Sequence, residues 1–325
     1  MPLLKATACA CSNIAFIKYW GNRDDALRIP VNGSISMNLD GLYTRTTVTF
    51  DPNLNADSAL VDGREMSGGG MTRISHHLDQ VRRRAGVETR ARIESVSNFP
   101  AGVGIASSAS AFAALSLAAV KALDLRMSEA ELSALARLGS GSASRSIPTG
   151  FVEWFAGDSH ESSFAASIAP VDHWALVDVV ALVSKAHKAT GSTEGHHTAA
   201  TSPLQAARVA DAARRLDLCR KALLSRDFEA FAEVVEQDSD IMHAIMMTGR
   251  PALFYWQPAT LTIMAEVRRL RASGLPLLYT IDAGPNVHCL CPADYADQVD
   301  QAVRALPGVV DTLRAGVGHG AWVES

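Results

Sequence analysis

Residues 276–314 read PLLYTIDAGPNVHCLCPADYADQVDQAVRALPGVVDTLR, and this stretch decides the fold of the second half. Residues 276–281 and 287–291 read as two short strands, with a sharp turn forced between them by Ala283-Gly284-Pro285. Residues 293–306 read as a helix and 309–314 as a further strand. Upstream lie a strand at 174–183 and a helix at 258–273 that Gly274 stops. Between them come two long helical stretches, one starting at Ser202-Pro203 and one near Asp227. With those two set aside, the order is β-α-β-β-α-β, the split βαβ pattern of ferredoxin-like folds.

The first half mixes strands and helices. Residues 44–50 (TRTTVTF) and 90–96 (RARIESV) alternate polar and apolar side chains as half-buried strands do. Residues 71–85 read as helix, and Ser128-x-x-Glu131 is a capping box opening a helix that stops at Gly139. The class is therefore α+β in two domains, 1–187 and 188–325, divided in the polar stretch 184–192.

The chain has 325 residues, 48% hydrophobic and 20% charged, with a net charge of −4, which is an ordinary globular balance with no pull toward nucleic acid. The arginine runs at 82–84 and 268–269 read as solvated helix faces. No apolar run reaches membrane-spanning length, and the N-terminus MPLLKATACACSN lacks a signal-peptide core, so a cytoplasmic protein is expected. The five cysteines fit that compartment, and the pairs Cys9/Cys11 and Cys289/Cys291 read as small buried strand residues. The histidine pairs at 76–77 and 196–197 lack the helical spacing of a metal site.

Five segments carry chemistry. In 100–109 (PAGVGIASSA), Gly102 and Gly104 permit close backbone approach, and Ser107 and Ser108 open a helix whose unpaired N–H groups suit a phosphate. The loop lacks the Gly-Lys-Ser/Thr of a P-loop and the third glycine of a dinucleotide fingerprint. Asn98 leads into it. In 139–146 (GSGSASRS), four hydroxyls including Ser140 and Ser142 surround Arg145; the segment is either a flexible linker or a carboxylate or phosphate site. In 279–287 (YTIDAGPNV), Asp282 ends a strand before a glycine turn, as a turn cap or as an acid facing a cleft. In 13–24 (NIAFIKYWGNRD), Lys18 sits in an apolar-aromatic run, either snorkelling to water or orienting an acid or phosphate. Lys185 and Lys188 in SKAHKATGST are surface lysines or nucleotide-phosphate ligands.

Together these blocks closely resemble the mevalonate diphosphate decarboxylases of the GHMP kinase superfamily. PAGVGIASSA resembles the superfamily's Pro-x3-Gly-Leu-x-Ser-Ser-Ala motif, with Ile105 for Leu, and NIAFIKYWGNRD resembles the signature NIA-x-IKYWGKRD. GSGSASRSIPTGFVEW, TIDAGPNVH and HAIMMTGRPALFYWQPAT resemble further family blocks, so the likeness runs from about residue 6 to about residue 320 in the family's order. It implies a first half like domain 2 of ribosomal protein S5 and a ferredoxin-like second half with inserted helices, the active site lying in the cleft between them. It also implies a homodimer, a phosphorylated mevalonate as substrate, ATP as co-substrate and Mg²⁺.

By resemblance Asp282 is the catalytic aspartate, which orients or deprotonates the hydroxyl, Lys18 the lysine beside it, and Arg145 the arginine that holds the substrate carboxylate. Ser107 and Ser108 would belong to the ATP-phosphate loop, and Tyr19, Ser140 and Ser142 to the substrate site. The reaction implied phosphorylates a tertiary hydroxyl, then releases phosphate and CO2 together. A kinase that stops at the 3-phosphate and a non-catalytic ligand-binding relative are the competing classes. One departure concerns specificity: Asn22 stands where the family signature has a lysine near the substrate's 5-diphosphate. A neutral side chain there favours mevalonate 5-phosphate as substrate and isopentenyl phosphate as product; the alternative is mevalonate 5-diphosphate giving isopentenyl diphosphate, with Arg23 or another basic residue compensating.

Overall fold

The computed structural model describes residues 4–99, 107–184 and 191–324. The first part contains β1 (Leu4–Ile17), β2 (Asn22–Asp24), β3 (Ile29–Pro30), β4 (Ser34–Phe50), β5 (Ser58–Val61), β6 (Arg64–Glu65), α1 (Gly68–Ala85), β7 (Ala91–Ser97), α2 (Ser107–Ala122), α3 (Glu129–Gly139), β8 (Phe151–Trp154) and β9 (Ala165–Ala169). The second contains β10 (Leu176–Leu182), α4 (Ser192–Thr198), α5 (Gln205–Ala210), α6 (Ala212–Ser225), α7 (Phe228–Thr248), α8 (Pro258–Ala272), β11 (Leu278–Thr280), β12 (Val287–Pro292), α9 (Ala296–Arg304), β13 (Asp311–Gly316) and β14 (Trp322–Glu324).

The larger sheet runs β14-β1-β4-β7-β5-β6, with β8 and β9 continuing from the early end of β4. β4 reaches well before the alternating 44–50 segment. Its first residues, SISMNL, also alternate, but Ser34, Ser36 and Asn38 are buried like their apolar neighbours, because that end of the sheet is covered on both faces. α1, α2 and α3 pack over one face, where Leu78, Val81, Phe112 and Leu135 meet Ala8, Ala10, Val48 and Phe50. The buried alanines 113, 114, 118 and 119 let α2 lie close against the sheet.

The smaller sheet runs β11-β12-β10-β13, every neighbour antiparallel, which is the order the β-α-β-β-α-β reading requires. Alternation in β10 sends Val179 and Ala181 toward α8 and α9, and Leu176, Val180 and Leu182 toward the larger sheet. The second set joins Phe16, Met37, Leu223, Phe231 and Val235 in one core that spans both sheets. Sheet membership changes before the expected division at 187/188, since β10 already belongs to the smaller sheet and β14 returns to pair with β1.

Several local expectations are corrected. The helix from Ser202-Pro203 is two helices, α5 and α6, broken at Asp211, whose carboxylate accepts from Arg214 and Arg215 in the first turn of α6. The polar stretch after 190 forms the short helix α4. The helix expected at 293–306 opens as a 3-10 turn, Ala293–Tyr295, before α9, and the last strand of the smaller sheet starts at Asp311. Arg82 is not solvated: it is buried in ion pairs with Asp57 and Asp79. The capping box at Ser128 and Glu131 forms as expected. All five cysteines are buried thiols. Among the described residues, no helix is long and apolar enough to cross a membrane, and no group of three metal-ligating side chains occurs.

Candidate active site

β1 delivers Lys18 to the junction of the two sheets, and the turn after β11 delivers Asp282 to the same place. Lys18 Nζ lies 2.6 Å from Asp282 Oδ1 across 264 residues of sequence, with Lys18 buried and Asp282 part-exposed at 24%. The lysine does not snorkel to water. The turn is held from both sides. Ile281 N donates to Ser239 Oγ on α7 (3.0 Å), and Thr280 Oγ1 donates to the Ala15 carbonyl on β1 (3.4 Å). Asn286 Oδ1 accepts from Val183 N (2.7 Å) and Ser184 N (3.1 Å), which closes the far side of the turn.

Burial pushes the Asp282 carboxyl up, but the fields of Lys18, His288 and Arg145 outweigh it and hold the group below the ordinary carboxylate value. It is therefore ionised at neutral pH. Burial pulls the Lys18 ammonium down, and Asp282 draws it part of the way back.

The segment 139–146 is not a linker. Residues 141–146 form a 3-10 helix, and nearly all of it is buried. Gly141 is needed for close approach, because a Cβ there would sit 2.5 Å from the Tyr19 ring. Arg145 Nη1 donates to Ser34 Oγ (2.7 Å) and Nη2 to Asn13 Oδ1 (3.1 Å). Its Nε is buried without a partner. Burial lowers the guanidinium to about 10, which still leaves it charged at neutral pH. Ser108 Oγ lies 3.2 Å from Ser140 Oγ, and Ser140 Oγ 3.5 Å from Ser142 Oγ, so the start of α2 meets the 3-10 helix through hydroxyls.

Tyr19 packs between Trp154 (ring centroids 4.7 Å apart) and His196 (4.1 Å). Burial raises its hydroxyl to about 12, so it stays protonated and donates to Asn22 Oδ1 at 2.5 Å. Asn22 Nδ2 in turn donates to Asp25 Oδ1 (2.8 Å). Arg23 turns away to the Gly157 carbonyl. Beside Asn22 a cavity of about 550 Å³ is lined by Asp25, Arg28, Arg73, His76 and Arg83. Arg73 also lines a second, more apolar cavity of about 220 Å³ with Ser107, Ser108, Ile93 and Phe112.

The structure thus brings Lys18, Asp282, Arg145, Tyr19, Asn22, Ser108, Ser140 and Ser142 to one region. Asn98 does different work: its side chain accepts from Tyr43 N (2.9 Å) and donates to the Gly41 carbonyl (2.7 Å), clasping the bend in β4. Gly102, Gly104, Lys185 and Lys188 lie outside the described residues. Sequence reading missed Asn13, Ser34 and Arg73. Asn13 and Ser34 are short polar residues inside long strands, and that was the available signal.

Two family models match in tandem: the diphosphomevalonate decarboxylase-like N-terminal domain over residues 10–165, and the mevalonate 5-diphosphate decarboxylase C-terminal domain over 178–315. The phosphomevalonate decarboxylase of Haloferax volcanii is 36% identical over 301 residues, covering 92% of each chain. The chain belongs to the diphosphomevalonate decarboxylase family. A second relative, the diphosphomevalonate decarboxylase of Candida albicans, is 38% identical over 302 residues, 87% of this chain and 83% of that one. Among solved structures, the mevalonate diphosphate decarboxylase from Enterococcus faecalis is 34% identical with a TM-score of 0.91 over 100% of both chains. A complex with MVAPP, the ATP analogue AMPPCP and magnesium reaches 0.93 at 34% identity over 100% of both chains. As a diphosphomevalonate decarboxylase family member, this chain is an enzyme of the decarboxylase class, and its two matched domains meet at the Lys18–Asp282 pair.

Proposed function

We propose that this chain decarboxylates mevalonate 5-phosphate with ATP, giving isopentenyl phosphate, ADP, phosphate and CO2. The observation that carries the reaction type is the buried Lys18 against an ionised Asp282, with the Arg145 guanidinium nearby. Asp282 accepts the proton of the substrate's tertiary hydroxyl as that oxygen attacks the γ-phosphorus and ADP leaves. Lys18 keeps Asp282 anionic and offsets charge on the transferring phosphoryl group. In the second step the carbon–carboxylate bond breaks, its electron pair forms the alkene, and the carbon–oxygen bond to phosphate breaks with that pair leaving on phosphate. Arg145, whose Nε is buried and unpartnered, orients the carboxylate without protonating it.

The relatives support the co-substrates, since a matching structure holds AMPPCP and magnesium. On this chain the apolar cavity ending at Ser107 and Ser108 fits a nucleoside with its phosphates toward the start of α2. Magnesium would be carried on the nucleotide's phosphate oxygens, where it neutralises charge. The Ser107 and Ser108 hydroxyls, which line this cavity, would be the groups of this chain to hold it.

The choice of the monophosphate rests on Asn22. It is neutral, its amide is already engaged by Tyr19 and Asp25, and Arg23 is turned to Gly157. The named activity of the Haloferax relative agrees with that choice. Arg28 and Arg73 in the adjoining cavity favour a second reading, in which they hold a diphosphate tail. Steady-state kinetics with both substrates decides between them. A higher kcat/KM for the monophosphate is expected, and a much higher value for the diphosphate overturns the choice.

A further inference from the structure

After Ile17 the chain leaves β1, and Lys18–Gly21 runs to the junction without a partner strand. Its buried backbone groups still need partners. Side chains supply them. Lys18 N donates to Asp238 Oδ2 (2.6 Å), and the Lys18 carbonyl accepts from Arg208 Nη2 (2.8 Å) and Asn32 Nδ2 (3.1 Å). The Trp20 carbonyl accepts from Arg208 Nη1 (3.0 Å) and Gln205 Nε2 (3.2 Å). Gly21 turns at φ 98°, where glycine is favoured, and its N–H donates to His196 Nδ1 (2.9 Å). Asp238, Arg208, Gln205 and His196 all lie on α4, α5 and α7, helices inserted into the ferredoxin-like pattern.

Arg208 and Asp238 are almost fully buried. Asp238 is balanced by Arg215 Nε at 2.8 Å, and Arg215 reaches on to Asp211 (2.7 Å) and the Arg208 carbonyl (3.0 Å). Arg208 Nε is left buried without a partner. A buried ionic network of this kind stabilises a fold no better than well-packed apolar side chains of the same volume. What it does supply is a fixed geometry, because a guanidinium fork spans two carbonyls at a set separation.

We propose that Arg208 and Asp238 are positioning residues for phosphoryl transfer. They grip the N–H and C=O of Lys18 and so fix its Nζ on Asp282. The inference rests on the reading that the Lys18–Asp282 pair serves the reaction. Misplacement of a reacting group by about 1 Å costs on the order of 100-fold in rate.

The test compares Arg208→Lys in the wild-type enzyme and in Lys18→Met, with ATP affinity and near-ultraviolet circular dichroism measured on each. Arg208→Lys keeps the charge and loses the fork. In the wild-type background we expect kcat to fall about 30-fold to 100-fold, with the KM for ATP within about 2-fold. The acid limb of the kcat–pH profile moves to higher pH, because a displaced Lys18 holds the Asp282 carboxyl down less. In the Lys18→Met background the same substitution costs less than about 3-fold further, since the group it positions is gone. Equal losses in both backgrounds, or no loss in the wild type, overturn the proposal. Undiminished turnover in Lys18→Met alone would instead overturn the reading of the pair itself. Should Arg208→Lys fail to fold, Gln205→Ala removes only one contact to Trp20. It is then expected to lower kcat a few-fold with the same dependence on Lys18, and additive loss counts against the clamp.

Discussion

The two ends of the proposed substrate site are built differently. At the reacting end, Lys18 and Arg145 are buried, the Asp282 turn is held from β1, β10 and α7, and each cation has at least one fixed oxygen partner. At the tail end, Asn22, Asp25 and Arg23 sit on a partly open surface and bond mostly to one another or to nearby backbone. Asp25 is 57% exposed and pairs with His197, itself 55% exposed. A reacting end packed into a shared core tolerates little change, because any shift propagates through both sheets. An exposed tail end lets one substitution alter what is bound without disturbing the chemistry. On the proposed reading, the substrate's phosphate number is set at the tail end and its reaction at the other.

That contrast can be broken at either end. The largest effect is expected for Lys18→Met, which should lower kcat by about 1,000-fold or more while leaving ATP affinity within a few-fold. Its pH dependence has a definite sign. Asp282 is held below the ordinary carboxylate value by Lys18, so removing the cation raises it, and the acid limb of residual turnover moves to higher pH. A limb that stays in place would mean Asp282 does not feel Lys18 in solution. Next comes Arg145→Ala, expected to reduce kcat/KM for the carboxylate-bearing substrate on the order of 100-fold, with ATP binding retained. Lys should rescue Arg145 poorly, since it cannot serve Ser34 and Asn13 together.

At the tail end, Asn22→Lys should raise the ratio of kcat/KM for diphosphate over monophosphate by about 10-fold, one added charge acting at a partly solvated site. An unchanged ratio would move the discrimination to Arg28 and Arg73. The smallest functional effect belongs outside the cleft. Ser128→Ala removes the capping box of α3 and should cost about 1 kcal/mol of stability in chemical denaturation, with kcat/KM unaltered. A loss of activity there would show that the scaffold and the site are not separable.

What could be read from the sequence follows the same division. The 276–314 segment carried its own turn and periodicity, so the ferredoxin-like order and the place of Asp282 were legible. The capping box at Ser128 was legible because both of its partners lie within one turn. The break at Asp211 was not, since it depends on Arg215, which also answers to Asp238 and the Arg208 carbonyl. Asp238 and Arg208 gave no local sign of their role, because the backbone they hold is 220 and 190 residues away. Arg82 misled for a related reason: within an arginine run, its burial is set by Asp57, which lies before β5, together with Asp79 on its own helix. GSGSASRS looked flexible by composition, yet its glycine at 141 serves to admit the Tyr19 ring.

The central claim is that Asp282 takes the hydroxyl proton in an ATP-dependent decarboxylation. Asp282→Asn, assayed for ADP and CO2 release alongside calorimetric ATP binding, tests it most directly. Wild-type enzyme should release ADP and CO2 in equal amounts, and the variant should bind ATP within about 3-fold while turnover falls by about 1,000-fold or more. Near-normal CO2 release from Asp282→Asn would contradict the assignment.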